Sequence, residues 1–165
     1  MNVALIDYGA GNLQSVKNAL KAAGADAIDV TSDPDAVARA DRIVLPGVGA
    51  FAHCKQALWG IDGMVDALNA TTGAGGKPFL GICVGMQLLA VEGREKGVWP
   101  GLGWIPGAVV RLEPQGGLKV PHMGWNEIHI RRQHPLVDGL LDDSRFYFVH
   151  SFHVVAKDMD AVLAE

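Results

Sequence analysis

Cys83 stands in Gly81-Ile82-Cys83-Val84-Gly85, a thiol with a glycine two residues to either side, where an apolar run passes into a helical pattern. The apex of such a strand-to-helix turn is held in a strained conformation, and side chains two positions before and after it would collide, so glycine suits both places. A thiol at a helix start meets unpaired backbone N–H groups and the positive end of the dipole. Both favour thiolate, the form that attacks carbon. The competing reading is a buried cysteine at a strand end, with glycines that serve close packing. An attacked amide carbonyl also needs donors for its developing oxyanion. The Val84 N–H is one candidate. The glycines of Pro46-Gly47-Val48-Gly49 would let a peptide turn a second N–H toward the site, against the plainer reading of a tight turn.

Three elements must position these groups. Residues 3–6 form an apolar run that ends in Asp7-Tyr8-Gly9-Ala10-Gly11-Asn12, with Asn12 placed to cap a helix bearing Leu13, Val16, Ala19, Leu20 and Ala23 on one face. Gly24 follows as a stop. A second cycle runs through residues 28–31 and a helix opened by Asp33-Pro34. The third strand, residues 42–45, leads into Pro46-Gly47-Val48-Gly49, after which helical pattern continues to about Asn69; residues 71–76 form a loop before the cysteine strand. Such alternation predicts an α/β fold with a mainly parallel central sheet flanked by helices. Chemistry in these sheets collects at the carboxyl ends of strands, where Tyr8, the 46–49 loop and Cys83 all fall. From Gly101 the texture changes to short strands at residues 109–112, 127–130 and 146–149, read as antiparallel edge strands that complete the sheet.

The chain of 165 residues, 49% of them apolar, has the length of a single domain with a sizeable core. A net charge of -4 with no basic cluster excludes a nucleic-acid footprint. The two cysteines make no disulfide framework, so a reducing compartment is expected, with Cys54 a packing residue of a helix. The N-terminal apolar run is too short for a signal peptide or a membrane span, which points to a cytoplasmic protein without membrane attachment. Gly9-Ala10-Gly11-Asn12-Leu13-Gln14 lacks the third glycine of a dinucleotide fingerprint. No cofactor or metal is expected.

Taken in order, Asp7-Tyr8-Gly9-Ala10-Gly11-Asn12, Leu45-Pro46-Gly47-Val48-Gly49-Ala50-Phe51, Gly81-Ile82-Cys83-Val84-Gly85-Met86-Gln87, Gly101-Leu102-Gly103, Pro121-His122-Met123-Gly124-Trp125-Asn126 and Phe146-Tyr147-Phe148-Val149-His150-Ser151 resemble the glutaminase subunits of imidazole glycerol phosphate synthase. The cysteine turn alone resembles class I glutamine amidotransferases at large; the Pro-His-Met-Gly-Trp-Asn stretch is particular to this branch. The resemblance covers essentially the whole chain. It implies a histidine-biosynthesis enzyme that hydrolyses glutamine and sends ammonia to a (β/α)8-barrel cyclase subunit in a heterodimer. There a phosphoribulosyl formimino-carboxamide nucleotide becomes imidazole glycerol phosphate and an aminoimidazole carboxamide ribotide. By position it implies Cys83 as the nucleophile and Gly47, Val48, Gly49 and Val84 as the oxyanion donors. Gln87, Glu95, Ser151 and Phe152 would hold glutamine. Pro121, His122, Met123 and Trp125 would meet the partner, where the alternative is packing on the domain core.

One departure stands out. The family's general base is a histidine in a C-terminal His-Pro-Glu motif, oriented by the glutamate, and this sequence ends at Ala164-Glu165 without it. His134-Pro135-Leu136 lacks the glutamate and reads as a turn; His150 and His153 read as ordinary strand or loop residues. The expectation is therefore one glutaminase domain over residues 1–165 lacking the family's C-terminal segment. The rivals are another cysteine-elbow hydrolase of similar fold, and a partner-binding module that keeps the fold without the chemistry.

Overall fold

The computed structural model describes residues 1–74, 76–141 and 144–165. Gly75, part of the loop expected before the cysteine strand, lies outside the described residues. Four strands, β1 (Asn2–Ile6), β2 (Ala27–Thr31), β3 (Arg42–Leu45) and β4 (Phe79–Gly81), pair in parallel in the order β2-β1-β3-β4. Strand β1 is buried on both faces. Val3 and Leu5, with Val44, meet Leu13, Val16 and Leu20 of α1 (Leu13–Ala22) on one side. Ala4 and Ile6, with Ile43 and Leu45, enter a larger core on the other side, filled by Val37 of α2 (Pro34–Arg39), Phe51 and Leu58 of α3 (Phe51–Trp59), and Met64 and Leu68 of α4 (Met64–Leu68). Double-sided burial is why these strands read as unbroken apolar runs rather than alternating ones.

The helix starts follow the local signals. The Asn12 side chain accepts the Ser15 N–H at 3.1 Å, and Asp33 accepts the Asp35 N–H at 2.9 Å with Pro34 in the first turn. The apolar stripe of α1 is narrower than its periodicity predicts, since Ala19 and Ala23 are exposed. The helical pattern after residue 50 breaks before α4, whose N-cap Gly63 takes φ 74°, a left-handed conformation that glycine adopts without a Cβ clash. Beyond α4, Asn69–Ala74 winds as a π-helix where a loop was expected.

The second half departs further. Helix α5 (Val84–Gln87) is one turn long, and β5 (Ala90–Gly93) begins almost at once. So short a connection cannot cross back beside β4, because a parallel return needs a dozen or more residues. The chain starts a second sheet instead, adding β6 (Trp99–Pro100), β7 (Ile105–Arg111) and β10 (Phe152–Ala156) in the order β10-β7-β5-β6. Strands β8 (His122–Glu127) and β9 (Arg145–His150) pair with each other alone, antiparallel. These strands thus build two further sheets, one of them mixed because β5 and β7 pair in parallel, and do not extend the first. Strand β8 occupies residues earlier than the expected 127–130, of which Ile130 makes only an isolated bridge to Ala164. Leu88, Ala90 and Val109 bring the second sheet onto the larger core. Gly93 lies so close to Phe51 that a Cβ there would come within 2.5 Å of the ring. Among the described residues no helix is long and apolar enough to cross a membrane.

The tightest approach in the fold joins α5 to β3. A Cβ on Gly85 would drive into the Leu45 carbonyl. Gly85→Ala is therefore expected to lower the free energy of unfolding by about 2–3 kcal/mol, at the upper end for overpacked sites. Urea denaturation followed by circular dichroism checks it.

Candidate active site

Because β1, β3 and β4 are neighbours and parallel, the loops after them emerge side by side at one edge of the sheet. The β4–β3 ladder carries one step into the elbow, as the Ile82 N–H donates to Leu45 O at 2.9 Å. Cys83 follows as the N-cap of α5 with φ 54° and ψ −118°, one of two non-glycine residues with positive φ among those described. Such a conformation is costly for a side chain and persists only where the surroundings enforce it. Gly81 and Gly85 are part of that enforcement: a Cβ on Gly81 would lie 2.6 Å from the Met86 Cα, and the Gly85 N–H closes the turn onto Ile82 O at 3.0 Å. The turn leaves Cys83 exposed while Val84 and Gly85 behind it are buried. The Val84 N–H, first in α5, makes no hydrogen bond among the described residues.

The 46–49 loop rests directly on this elbow. A Cβ on Gly47 would come within 2.5 Å of the Gly85 nitrogen and 3.0 Å of the Val84 carbonyl carbon, so only glycine lets the two backbones meet. Gly49 takes φ 91°. Two buried donors hold the loop from behind, the Tyr8 hydroxyl to Pro46 O at 2.5 Å and the Cys54 thiol to Val48 O at 3.2 Å. The Val48 carbonyl is drawn inward, and the N–H of the same trans peptide, on Gly49, points the opposite way. Burial pushes the Cys54 thiol pKa up, and burial followed by the neighbouring Cys54 pushes the Tyr8 phenol up. Both groups therefore stay protonated at neutral pH and able to donate. Neither role was foreseen in the sequence, where Cys54 reads as packing and Tyr8 as part of a turn.

Of the residues expected to hold glutamine, Gln87 and Phe152 meet, with Gln87 Nε2 donating to Phe152 O at 3.4 Å. Ser151 precedes Phe152 and is half-buried, its carbonyl accepting the Leu112 N–H at 2.9 Å. Glu95 lies against the end of the 46–49 loop, where its Oε2 accepts the Phe51 N–H at 2.9 Å and supplies the cap that Ala50 cannot. The four residues expected on a partner surface divide. Alternation along β8 puts Met123 and Trp125 on one exposed face, whereas His122 lies on the other, half-buried, and Pro121 precedes the strand. Their register neighbours Val149 and Tyr147 extend the exposed face, which sequence reasoning did not assign.

No imidazole is hydrogen-bonded to the Cys83 thiol among the described residues. His150 has both ring nitrogens engaged elsewhere, by His122 and by Phe152 O, and His134 caps its own turn through the Leu136 N–H. Burial, then the charge of His150, lowers the His153 pKa.

An exposed thiol on a glycine-flanked elbow, with the 46–49 loop packed on the elbow's backbone, is the arrangement of a cysteine hydrolase of the amidotransferase type. The chain belongs to the class-I glutamine amidotransferase family, whose pattern matches residues 4–164. A crystal structure of a glutamine amidotransferase, 20% identical, superposes with a TM-score of 0.70 over 99% of this chain and 79% of that one, which shows the shared fold. Within the family the chain is similar to imidazole glycerol phosphate synthase subunit HisH. That of Zymomonas mobilis is 55% identical over 98% of this chain and 76% of the relative. That of Rhodospirillum rubrum is 52% identical over 99% and 80%.

The two thiols differ in access. Cys54 is 0% exposed and bonded to Val48 O, while Cys83 faces solvent. In the native protein iodoacetamide is expected to modify Cys83 alone, with Cys54 reacting only after unfolding. Peptide mass analysis of the native and urea-treated protein checks this; equal labelling of both thiols in the native state would contradict the geometry.

Proposed function

We propose that the chain is the glutaminase subunit of an imidazole glycerol phosphate synthase, hydrolysing glutamine to glutamate and ammonia for histidine biosynthesis. The observation that carries this reading is Cys83, held at positive φ and exposed, on an elbow whose Val84–Gly85 backbone is packed against Gly47 of the 46–49 loop. In this reading the Cys83 sulfur attacks the side-chain amide carbon of glutamine. The carbonyl oxygen gains charge as the tetrahedral intermediate forms and is received by the Val84 N–H and by a peptide of residues 47–49. Ammonia leaves with an added proton and water then cleaves the glutamyl thioester. Gln87, Glu95 and the backbone of Ser151 and Phe152 orient the amino acid. The base for these proton transfers is none of the imidazoles whose partners are described above.

The ammonia acceptor in this reading is the barrel cyclase subunit, docked on the exposed face of β8 and β9. Met123 and Trp125 are 60% and 71% exposed, and the Trp125 and Tyr147 rings meet edge to face with centroids 5.6 Å apart. Aromatic residues and methionine are enriched in such interfaces. The relatives bear the name of a synthase subunit, which supports the reading of a partner subunit. A cytoplasmic location belongs to the same proposal.

Cys83→Ser is expected to abolish both covalent labelling by an electrophilic glutamine analogue and glutamine-dependent turnover in the assembled synthase. Turnover with free ammonium should persist. Survival of glutamine-dependent turnover would sink the assignment, and an unlabelled wild-type chain would favour the non-catalytic module.

Trp125→Ala should weaken association with the cyclase subunit at least tenfold, as loss of an aromatic anchor worth about 2 kcal/mol implies. The melting temperature of the isolated chain should barely move, since the side chain makes little contact within it. Titration calorimetry and a thermal melt read the two effects; a collapse in melting temperature with unchanged affinity would make Trp125 a structural residue.

A further inference from the structure

His122 and His150 face each other on one rung of the β8–β9 pair, and their rings form the only side-chain chain of hydrogen bonds described that reaches the proposed glutamine site. His122 Nδ1 lies 3.0 Å from His150 Nε2, and His150 Nδ1 lies 3.0 Å from Phe152 O. Phe152 O is the same atom that takes the Gln87 amide at 3.4 Å. At the outer end Asn126 Nδ2 is 3.5 Å from His122 Nε2. The His122 ring is itself fixed by stacking on Phe148, centroids 4.9 Å apart and planes 20° off parallel.

The chemistry of the inner end orients the whole run. A carbonyl oxygen can only accept, so His150 must carry its proton on Nδ1. In the neutral ring Nε2 is then an acceptor, and His122 must donate to it from Nδ1. His122 Nε2 is left to accept from the Asn126 amide. The direction is therefore Asn126 to His122 to His150 to Phe152 O, with Gln87 donating to the same oxygen from the other side. Both rings are held in the Nδ1–H form by their neighbours, and no further partner is required for either nitrogen.

We propose that His122 and His150 are positioning residues of the glutaminase site. They hold the Phe152 carbonyl, and with it the Ser151–Phe152 backbone and the Gln87 amide, in the arrangement that receives glutamine. The inference rests on the glutaminase reading and adds to it a pair of side chains that touch neither substrate nor nucleophile. The strands β8 and β9 hydrogen-bond to no other described strand. The His150 bond to Phe152 O is accordingly one of the ties that fix this two-stranded unit against the start of β10.

The test uses the full chain and the access of Cys83. Glutamine is titrated against alkylation of Cys83, and the concentration that halves the rate is compared among variants. His150→Leu removes the shorter of the two hydrogen bonds to Phe152 O, leaving the Gln87 contact at 3.4 Å, and is expected to raise that concentration about tenfold. His150→Asn, whose amide nitrogen takes the place of Nδ1, should remain within about twofold of wild type. The alkylation rate without glutamine should be the same in all three. His122→Leu leaves Phe152 O its donor and should cost less, about threefold; it carries the test if His150→Leu fails to fold. Nitrogen-15 spectra of the wild-type imidazoles should show the Nδ1–H tautomer at both positions, a readout independent of any variant. Equal protection of wild type and both leucine variants, or an Nε2–H tautomer at His150, overturns the proposal. Absence of any protection of wild-type Cys83 overturns the glutaminase reading itself, and the two failures are thereby told apart.

Discussion

The structure depends on the contact between the elbow and strand β3, where Gly85 sits over the Leu45 carbonyl with no room for a side chain. That carbonyl also accepts the Ile82 N–H, so the parallel ladder continues up to the residue before Cys83. Cys83 must then reverse direction within one residue, which is what its positive φ records. A larger residue at position 85 would push α5 off β3, and the strained turn would relax. Strain of this kind persists only because close packing on both sides leaves no alternative. The exposure of the thiol is thus a by-product of how tightly everything beneath it is packed.

The 46–49 loop shows the same logic in a second place. Gly47 lies in backbone contact with Val84 and Gly85, and a clash of any Cβ there makes the loop and the elbow a single unit. Tyr8 and Cys54 then set which way the peptides of that unit turn, by claiming the carbonyls of Pro46 and Val48 for the interior. With those oxygens committed to the interior, the N–H groups of the same trans peptides, on Gly47 and Gly49, point the opposite way. Burial keeps both donors protonated. Buried hydrogen bonds of this kind fix the direction of the loop's peptides in advance of any ligand, and an oxyanion site gains its effect from such preorganisation.

The β8–β9 pair presents two chemically different faces by simple alternation. One face carries Met123, Trp125, Tyr147 and Val149 into solvent, and the other turns His122, Phe148 and His150 inward. Since residues opposite one another share a face, each rung is committed as a whole to one side. A shift of one residue in register would exchange the two faces. The Glu127–Arg145 ion pair at 3.0 Å lies on the exposed face and is one of the contacts consistent with the observed register.

The sequence by itself determined what depends on neighbours a few residues apart. The glycines around Cys83, the caps at Asn12 and Asp33, the proline at position 34 and the apolar runs of β1 and β3 each act within one turn or one strand, and all appear where they were expected. The loops at the carboxyl edge were legible for the same reason, because parallel alternation fixes the edge without fixing the strand order. Only the tertiary structure decided the rest. Tyr8 reaches Pro46 across 38 residues, His122 meets His150 across 28, and Gln87 meets Phe152 across 65. Periodicity carries no information about such pairs, since they exist only once β1 lies beside β3 and β10 comes near α5. The three separate sheets were hidden for a related reason: strand patterns state which residues are extended, whereas the length of α5 decided which partners those strands could reach.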